Sequence, residues 1–446
     1  MKKENLMFIL VAMGLLLIIG GCAPSHYKLA NQAYLKGNYK TAQNEYAYLT
    51  EGEPGKPETK EKVKKLVCRS IHLGNHGVSA YYGHDYEEAA RILEMCITYN
   101  KYLEGFVEET LKAEMARKYR FTPWEEKMIH LYLGRIYEQL GNRERSLIEY
   151  LNINESEDRT FNIAHYRLGS IYHIKGQIDD ALVAYKNVLE VNRQLKSDNE
   201  KYDIEPFFYA SLDMGFIYIN KGEDWRSEAK KYFSEYISRD SEATNAKTAD
   251  YYLETGKNVL KDLGVIYIVM DVPYYSKSAY AQVYVNDKYY GRTYVLEDLV
   301  EHKERYEWQL KKIAKGVAKE AVGYVAREAT IKAAGWACPC LGFLAEKKLK
   351  GEKEPEVPRQ FDKWPSVVCV SKVYVNPGHC SIKFNFKDPQ QPKLGGGCMG
   401  PKPNPYIEGD NAMAEFDVEV GKGDLVFVNY NPTEWLYKNL KPASGW

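Results

Sequence analysis

Between Tyr27 and Leu263 the apolar positions recur at three- and four-residue spacing, interrupted at short intervals by glycine, proline and asparagine. That is the signature of one-sided helices joined by short turns. The pattern copies itself most clearly from Leu133 to Leu189. Leu133, Gly134, Tyr137, Gly141, Ser146 and Tyr150 return 35 residues later as Leu168, Gly169, Tyr172, Gly176, Ala181 and Tyr185. Each copy predicts a helical hairpin. Gly134 and Gly169 stand where one helix presses on the next and a larger side chain would collide. Gly141 and Gly176 suit the turn, where positive φ costs glycine little. Ala181 is the small residue at the helix crossing, and Tyr150 and Tyr185 are expected to fill the gap towards the following hairpin.

Weaker copies flank these two. Tyr27 to Leu49 carries Ala30, Tyr34, Gly37, Ala42 and Tyr46. Leu66 to Asn100 carries Tyr82, Tyr86, Ala89 and Leu93; its turn, Gly83-His84-Asp85, reads as one residue too long for the pattern, and Gly74 and Gly77 argue against an unbroken helix before it. Residues 101–125 keep helical spacing up to Thr122-Pro123, a helix start. A fifth copy, Pro206 to Ile237, has Gly215, Tyr218, Gly222, Ala229 and Phe233, with two extra residues in its turn. Ala249 to Leu263 predicts a closing helix that shields the last hairpin from water.

At Gly264 the period changes. Val265 to Met270 is continuously apolar and predicts a buried strand. Tyr280–Val285 and Tyr289–Val295, around Asn286-Asp287-Lys288, predict a hairpin. Two more hairpins are predicted: Val367–Val375 with Cys380–Phe386 across Asn376-Pro377-Gly378, and Phe416–Val420 with Leu425–Tyr430 across Gly421-Lys422-Gly423. One long amphipathic helix, about 297–334, has Leu310, Ile313, Val317, Ala321, Tyr324 and Val325 on one face. Packing against its own sheet explains that face. The class expected is α+β: an all-α solenoid of helical hairpins over 22–263, then a small β-sandwich or half-barrel with one long helix over 264–446.

Residues 1–21 read as an export signal, with Lys2 and Lys3 before the apolar run Leu6–Ile19, too short for a comfortable membrane span. Ile19-Gly20-Gly21-Cys22 resembles the bacterial lipobox, which implies lipidation of the Cys22 thiol. Ala23 follows where an aspartate would signal inner-membrane retention, so the expected place is the outer membrane, facing the periplasm. Lys+Arg and Asp+Glu both number 61, which leaves no global charge to draw nucleic acid. Tyrosine is abundant, at 38 residues, and serves both helix packing and exposed binding faces.

The hairpin pattern, at its 35-residue offset, resembles the tetratricopeptide repeat (TPR). Further motifs extend the resemblance along the chain: His76-Gly77 with Tyr82-Gly83 and Asp85-Tyr86, Glu125 with Met128-Ile129-His130 and Tyr132-Leu133-Gly134, Pro206-Phe207, Asp362 with Trp364-Pro365, and Pro377-Gly378-His379. Together they are similar to an uncharacterised family of bacterial TPR lipoproteins with a β-rich C-terminal domain. Lys363 and the direct Trp364-Pro365 junction depart from that family's aspartate–arginine–tryptophan block. The expected partners are proteins of an envelope complex, for cell-wall synthesis or outer-membrane assembly and export. No enzymatic activity is expected, since the sequence has neither a Gly-x-Ser-x-Gly elbow nor a His-Glu-x-x-His helix.

The residues expected to contact such partners lie on first helices, off the packing pattern: Tyr132, His165 and Arg167. No cofactor, metal or catalytic residue is expected, and the sequence leaves any small-molecule ligand open. The rival reading places a thiol, metal, glycan or lipid function in the C-terminal domain. Cys338-Pro339-Cys340 is its sharpest feature, with Cys369, His379, Cys380 and Cys398 as further ligands, though no second pair has zinc spacing. Structural disulfides are the expected fate of cysteines in an exported chain, with an odd one left among Cys68, Cys96, Cys338, Cys340, Cys369, Cys380 and Cys398. His72 and His76 have the spacing of a zinc pair, but packing explains them better. Gly395-Gly396-Gly397 lacks the strand and helix of a phosphate loop.

Overall fold

The computed structural model describes residues 26–50, 69–104, 121–154, 161–198, 207–272, 280–299, 365, 367–387 and 412–430. The expected export segment with Cys22, Cys68, Cys338-Pro339-Cys340, Asp362 to Trp364, the Gly395–Gly400 loop and Cys398 lie outside those residues. So does the expected long helix beyond Leu299. Its first residues are not helical: Glu297 and Asp298 belong to a strand.

Five helical hairpins come first: α1 (His26–Leu35) with α2 (Tyr39–Thr50), α3 (Arg69–Tyr82) with α4 (Tyr86–Glu104), and α5 (Pro123–Gln139) with α6 (Arg143–Asn154). Then follow α7 (Asn162–Ile174) with α8 (Ile178–Asp198), and α9 (Phe208–Lys221) with α10 (Arg226–Ile237) after a short 3-10 turn. Thr122 caps α5 as the sequence indicates: its hydroxyl accepts from the Glu125 N–H, Glu125 accepts from the Thr122 N–H, and Pro123 opens the helix. The packing glycines act as expected. A Cβ on Gly134 would lie 2.8 Å from the Tyr150 ring, and one on Gly169 would lie 2.7 Å from the Tyr185 ring. Tyr150 and Tyr185 therefore fill the space over the glycine of their own hairpin, not the gap to the next. Tyr137 and Tyr218 are core as well, and Tyr172 is half-buried.

Three local expectations change. α3 runs unbroken through Gly74 and Gly77, because a Cβ at Gly77 would collide with Leu93, so tertiary packing outweighs helix propensity there. The turn after α3 has the same length as its neighbours. His84 takes the left-handed position, at φ 61°, that Gly141 and Gly176 hold at 71° and 74°. The closing segment is two helices, α11 (Thr244–Thr255) and α12 (Val259–Asp262), separated at left-handed Gly256.

The strands are β1 (Gly264–Val272), β2 (Tyr280–Val285), β3 (Lys288–Arg292), β4 (Tyr294–Asp298), β5 (Val367–Val375), β6 (Gly378–Lys387), β7 (Ala412–Val420) and β8 (Leu425–Tyr430). They form two four-stranded sheets, ordered β4-β5-β1-β8 and β3-β2-β6-β7. β2 and β3 make the predicted hairpin, with Asn286 and Asp287 both at positive φ. The other two predicted hairpins do not form. β5 pairs with β1 and β4 while β6 pairs with β2 and β7, so Asn376-Pro377 carries the chain between sheets. Gly421 to Asp424 does the same between β7 and β8, and β8 pairs parallel to β1.

The layers run helices, first sheet, second sheet. Ile266, Ile268 and Met270 of β1 and Cys369, Val373 and Val375 of β5 fill the sandwich interior. Val265, Tyr267 and Val269, with Val368, Val370 and Tyr374, join the core of the helical array instead. This two-sided burial explains the unbroken apolar run of β1. The fold is α+β, with the first sheet shared between two cores.

Candidate functional site: the inner face of the helical array

The packing glycines set a register across the repeats. Gly77 lies on Leu93, Gly134 on Tyr150, Gly169 on Tyr185 and Gly215 on Phe233. Two residues before each stands a residue of the inner face: Asn75, Tyr132, Arg167 and Asp213. These are the places where a solenoid of this kind presents its binding surface.

Of the three groove residues expected from the sequence, Tyr132 and Arg167 lie on this inner face, but the face is not open. Tyr132, His165 and Arg167 are all buried. The Arg167 guanidinium sits 3.8 Å over the Tyr267 ring of β1 and 4.6 Å from the Phe427 ring of β8. The Tyr132 hydroxyl meets that of Tyr82 at 3.1 Å, and Tyr82 donates to Asp271 of β1. The expectation of an open partner groove is corrected: the chain's own first sheet covers it at Tyr132 and Arg167, and His165 is buried.

Buried charge marks the contact. The Arg135 Nη1 donates to both Asp271 carboxylate oxygens at 2.9 Å, with each side chain 2% exposed. Burial opposes the charge on Arg135, and Asp271 outweighs it, so the guanidinium stays protonated. The Arg167 Nε donates to Glu138 at 2.7 Å. Burial pushes the Glu138 carboxyl up while Arg167 pulls it back down. The third pair is Lys372 of β5 with Asp213 of α9 at 2.8 Å, and Tyr166 and Tyr374 also donate to Asp213. Burial draws Lys372 below the usual lysine value against the pull of Asp213.

Main-chain contacts extend the same surface. Asn245 of α11 donates to the Lys372 carbonyl at 2.8 Å and accepts from the Tyr374 N–H at 3.3 Å, gripping the β5 backbone on either side of Val373. The Tyr209 hydroxyl donates to the Arg292 carbonyl and lies 2.9 Å from the Ser371 hydroxyl. The N–H of Ile163, at the start of α7, meets the carboxylate of Glu297 on β4.

Arg135, Glu138, Asp213, Asn245, Asp271 and Lys372 were missed in the sequence. A signal existed: Asp271 ends an apolar strand run, and Lys372 interrupts Val367–Val375. A charge in a strand buried on both faces needs a partner from another layer.

His173 of α7 faces Lys372 and Asp213. Burial, with Lys372 adding to it and Asp213 opposing, lowers the ring's pKa to about 4. The folded state keeps this ring neutral, while the unfolded chain protonates it below about 6.5. The wild-type chain therefore loses stability as pH falls from about 6.5 to about 4, by up to about 3 kcal/mol from this residue. His173→Gln flattens that limb in urea titrations run across the same pH range.

Cys96, Cys369 and Cys380 are free and buried, in place of the disulfides expected for them. Burial pushes Cys369 up to about 12 and raises the other two, which makes them poor thiolate nucleophiles at neutral pH. Among the described residues no three histidine, cysteine, aspartate or glutamate side chains group as metal ligands. No described helix is long and apolar enough to cross a membrane.

A family model for the tetratricopeptide repeat matches residues 163–195, within α7 and α8. No curated protein matches the chain. Among solved structures, one of MamA protein is similar at 16% identity and TM-score 0.33, over 51% of this chain and 93% of that one. A second MamA structure gives 16% and 0.33, over 50% and 98%. BtubC (BKLC) from P. vanneervenii gives 15% and 0.31, over 52% and 80%. Likeness at that level carries no functional argument.

Proposed function

We propose that this chain is a lipid-anchored adaptor of the cell envelope, tethered through Cys22 at the outer membrane and facing the periplasm. It holds protein partners on its helical repeats, in a complex for cell-wall synthesis or outer-membrane assembly and export. One observation supports the adaptor reading above the others: the repeats already grip extended polypeptide in cis. Arg135, Arg167 and Asn245 hold β1, β8 and β5 through carboxylate, aromatic face and main chain respectively. A surface that does this for its own strands has the chemistry to do it for others. Because the first sheet fills α5 to α11, partners meet the N-terminal repeats and the outer faces. The lipid restricts the adaptor to one membrane layer and raises its effective concentration towards partners there.

Cross-linking in intact cells, followed by affinity recovery, tests this. Wild type recovers a defined set of envelope proteins from the membrane fraction. Cys22→Ser moves the chain to the soluble fraction and cuts that recovery about tenfold or more. Equal recovery and unchanged fractionation would refute the tether.

A further inference from the structure

The sheet meets the second repeat at its edge: Asp271 of β1 accepts a hydrogen bond from Tyr82, the last residue of α3. Earlier on the same helix, Asn75 is fully buried, yet neither its Nδ2 nor its Oδ1 has a hydrogen-bond partner among the described residues. His72, one turn before, is buried with Nδ1 unpartnered as well. Burying such groups unpaired is unfavourable, and native folds seldom leave two on one helical turn. The register places Asn75 at the same repeat position as Tyr132, Arg167 and Asp213, on the face that grips strands.

Asn245 shows what a buried asparagine does on this face when a strand is present: it donates to one main-chain carbonyl and accepts from a nearby N–H. We propose that Asn75 and His72 form a main-chain clamp for an extended segment of a partner protein, laid over α3 as β5 is laid against α11. The segment presents a carbonyl to Asn75 Nδ2, an N–H to Asn75 Oδ1 and a further polar group to His72 Nδ1. Burial keeps His72 neutral, with a pKa of about 4, so that nitrogen donates or accepts according to tautomer. Both side chains are closed to bulk water in the free chain, so the segment displaces local cover on entering and associates slowly. Recognition through main chain makes the clamp tolerant of the partner's side chains. The proposal rests on the adaptor reading and names the chemistry of one part of its surface.

The test uses the full mature chain, a random-peptide phage library as probe, and two matched substitutions. Asn245→Leu removes a satisfied clamp and lowers the melting temperature. Asn75→Leu removes an unsatisfied one, so it melts at or above wild type. Wild type enriches peptides from the library, and Asn75→Leu reduces their binding about tenfold or more. Peptides retained equally by Asn75→Leu would sink the clamp and leave the adaptor reading standing. Enrichment by neither chain would also sink it, and recovery of envelope proteins by cross-linking would then decide the adaptor reading separately. A clear fall in melting temperature for Asn75→Leu would show an amide satisfied within the fold by ordered water, which overturns the clamp.

Discussion

Asp213→Asn lowers folding stability by about 3–5 kcal/mol, seen as a fall in the urea midpoint with little change in slope. The substitution conserves volume and removes one charge. That charge is the partner of Lys372 at 2.8 Å and the acceptor for Tyr374 and Tyr166, all buried between α9, α7 and β5. An ammonium group stranded there deprotonates or draws in water, and either outcome loosens β5 from the helices. An exposed pair such as Arg145 with Glu94 serves as the control. Its loss moves stability by less than about 1 kcal/mol, because solvent screens it.

The second large effect is a coupling. Arg135→Met or Asp271→Leu alone costs about 3–5 kcal/mol, since each leaves a buried charge without its partner. Made together they return to within about 1 kcal/mol of wild type, as apolar side chains of similar volume fill the layer. Denaturant titration of the four chains in the cycle measures it. Independent effects that simply add would mean that Arg135 and Asp271 are not partners. The residual loss in the double variant reports on Tyr82, whose hydroxyl also donates to Asp271.

The helical half was legible because its signal is local and repeated. Gly134 and Gly169 had to be small, and Tyr150 and Tyr185 had to be large, for reasons contained within one hairpin. The β1 run was legible as a buried strand, but its meaning was only half drawn. A strand apolar on both faces needs a layer on each side, and the helical array was the largest apolar surface available to supply the second. Turn chemistry misled twice. Asn376-Pro377-Gly378 and Gly421-Lys422-Gly423 have hairpin residues, yet the decision between a hairpin and a step to the facing sheet is made by distant strands. β6 finds β2, and β7 finds β6, from segments far away in sequence.

The groove residues show the same limit. Arg167 and Tyr132 lie on the inner face, where repeat geometry puts the first helices. What covers them begins about a hundred residues downstream of Arg167, and no local pattern announces it. Arg167 resembled a ligand-binding group because it is one: its ligand is the Tyr267 ring of the same chain.

Helices and sandwich form one folded unit joined across this inner face. Scanning calorimetry of residues 22–446 beside a fragment of residues 22–263 puts that to the test. One cooperative transition is expected for the longer chain and none for the fragment, in which Arg135 and Asp213 have lost Asp271 and Lys372. A fragment that melts cooperatively at the temperature of the whole chain would contradict it, and would return the inner face to service as an open groove.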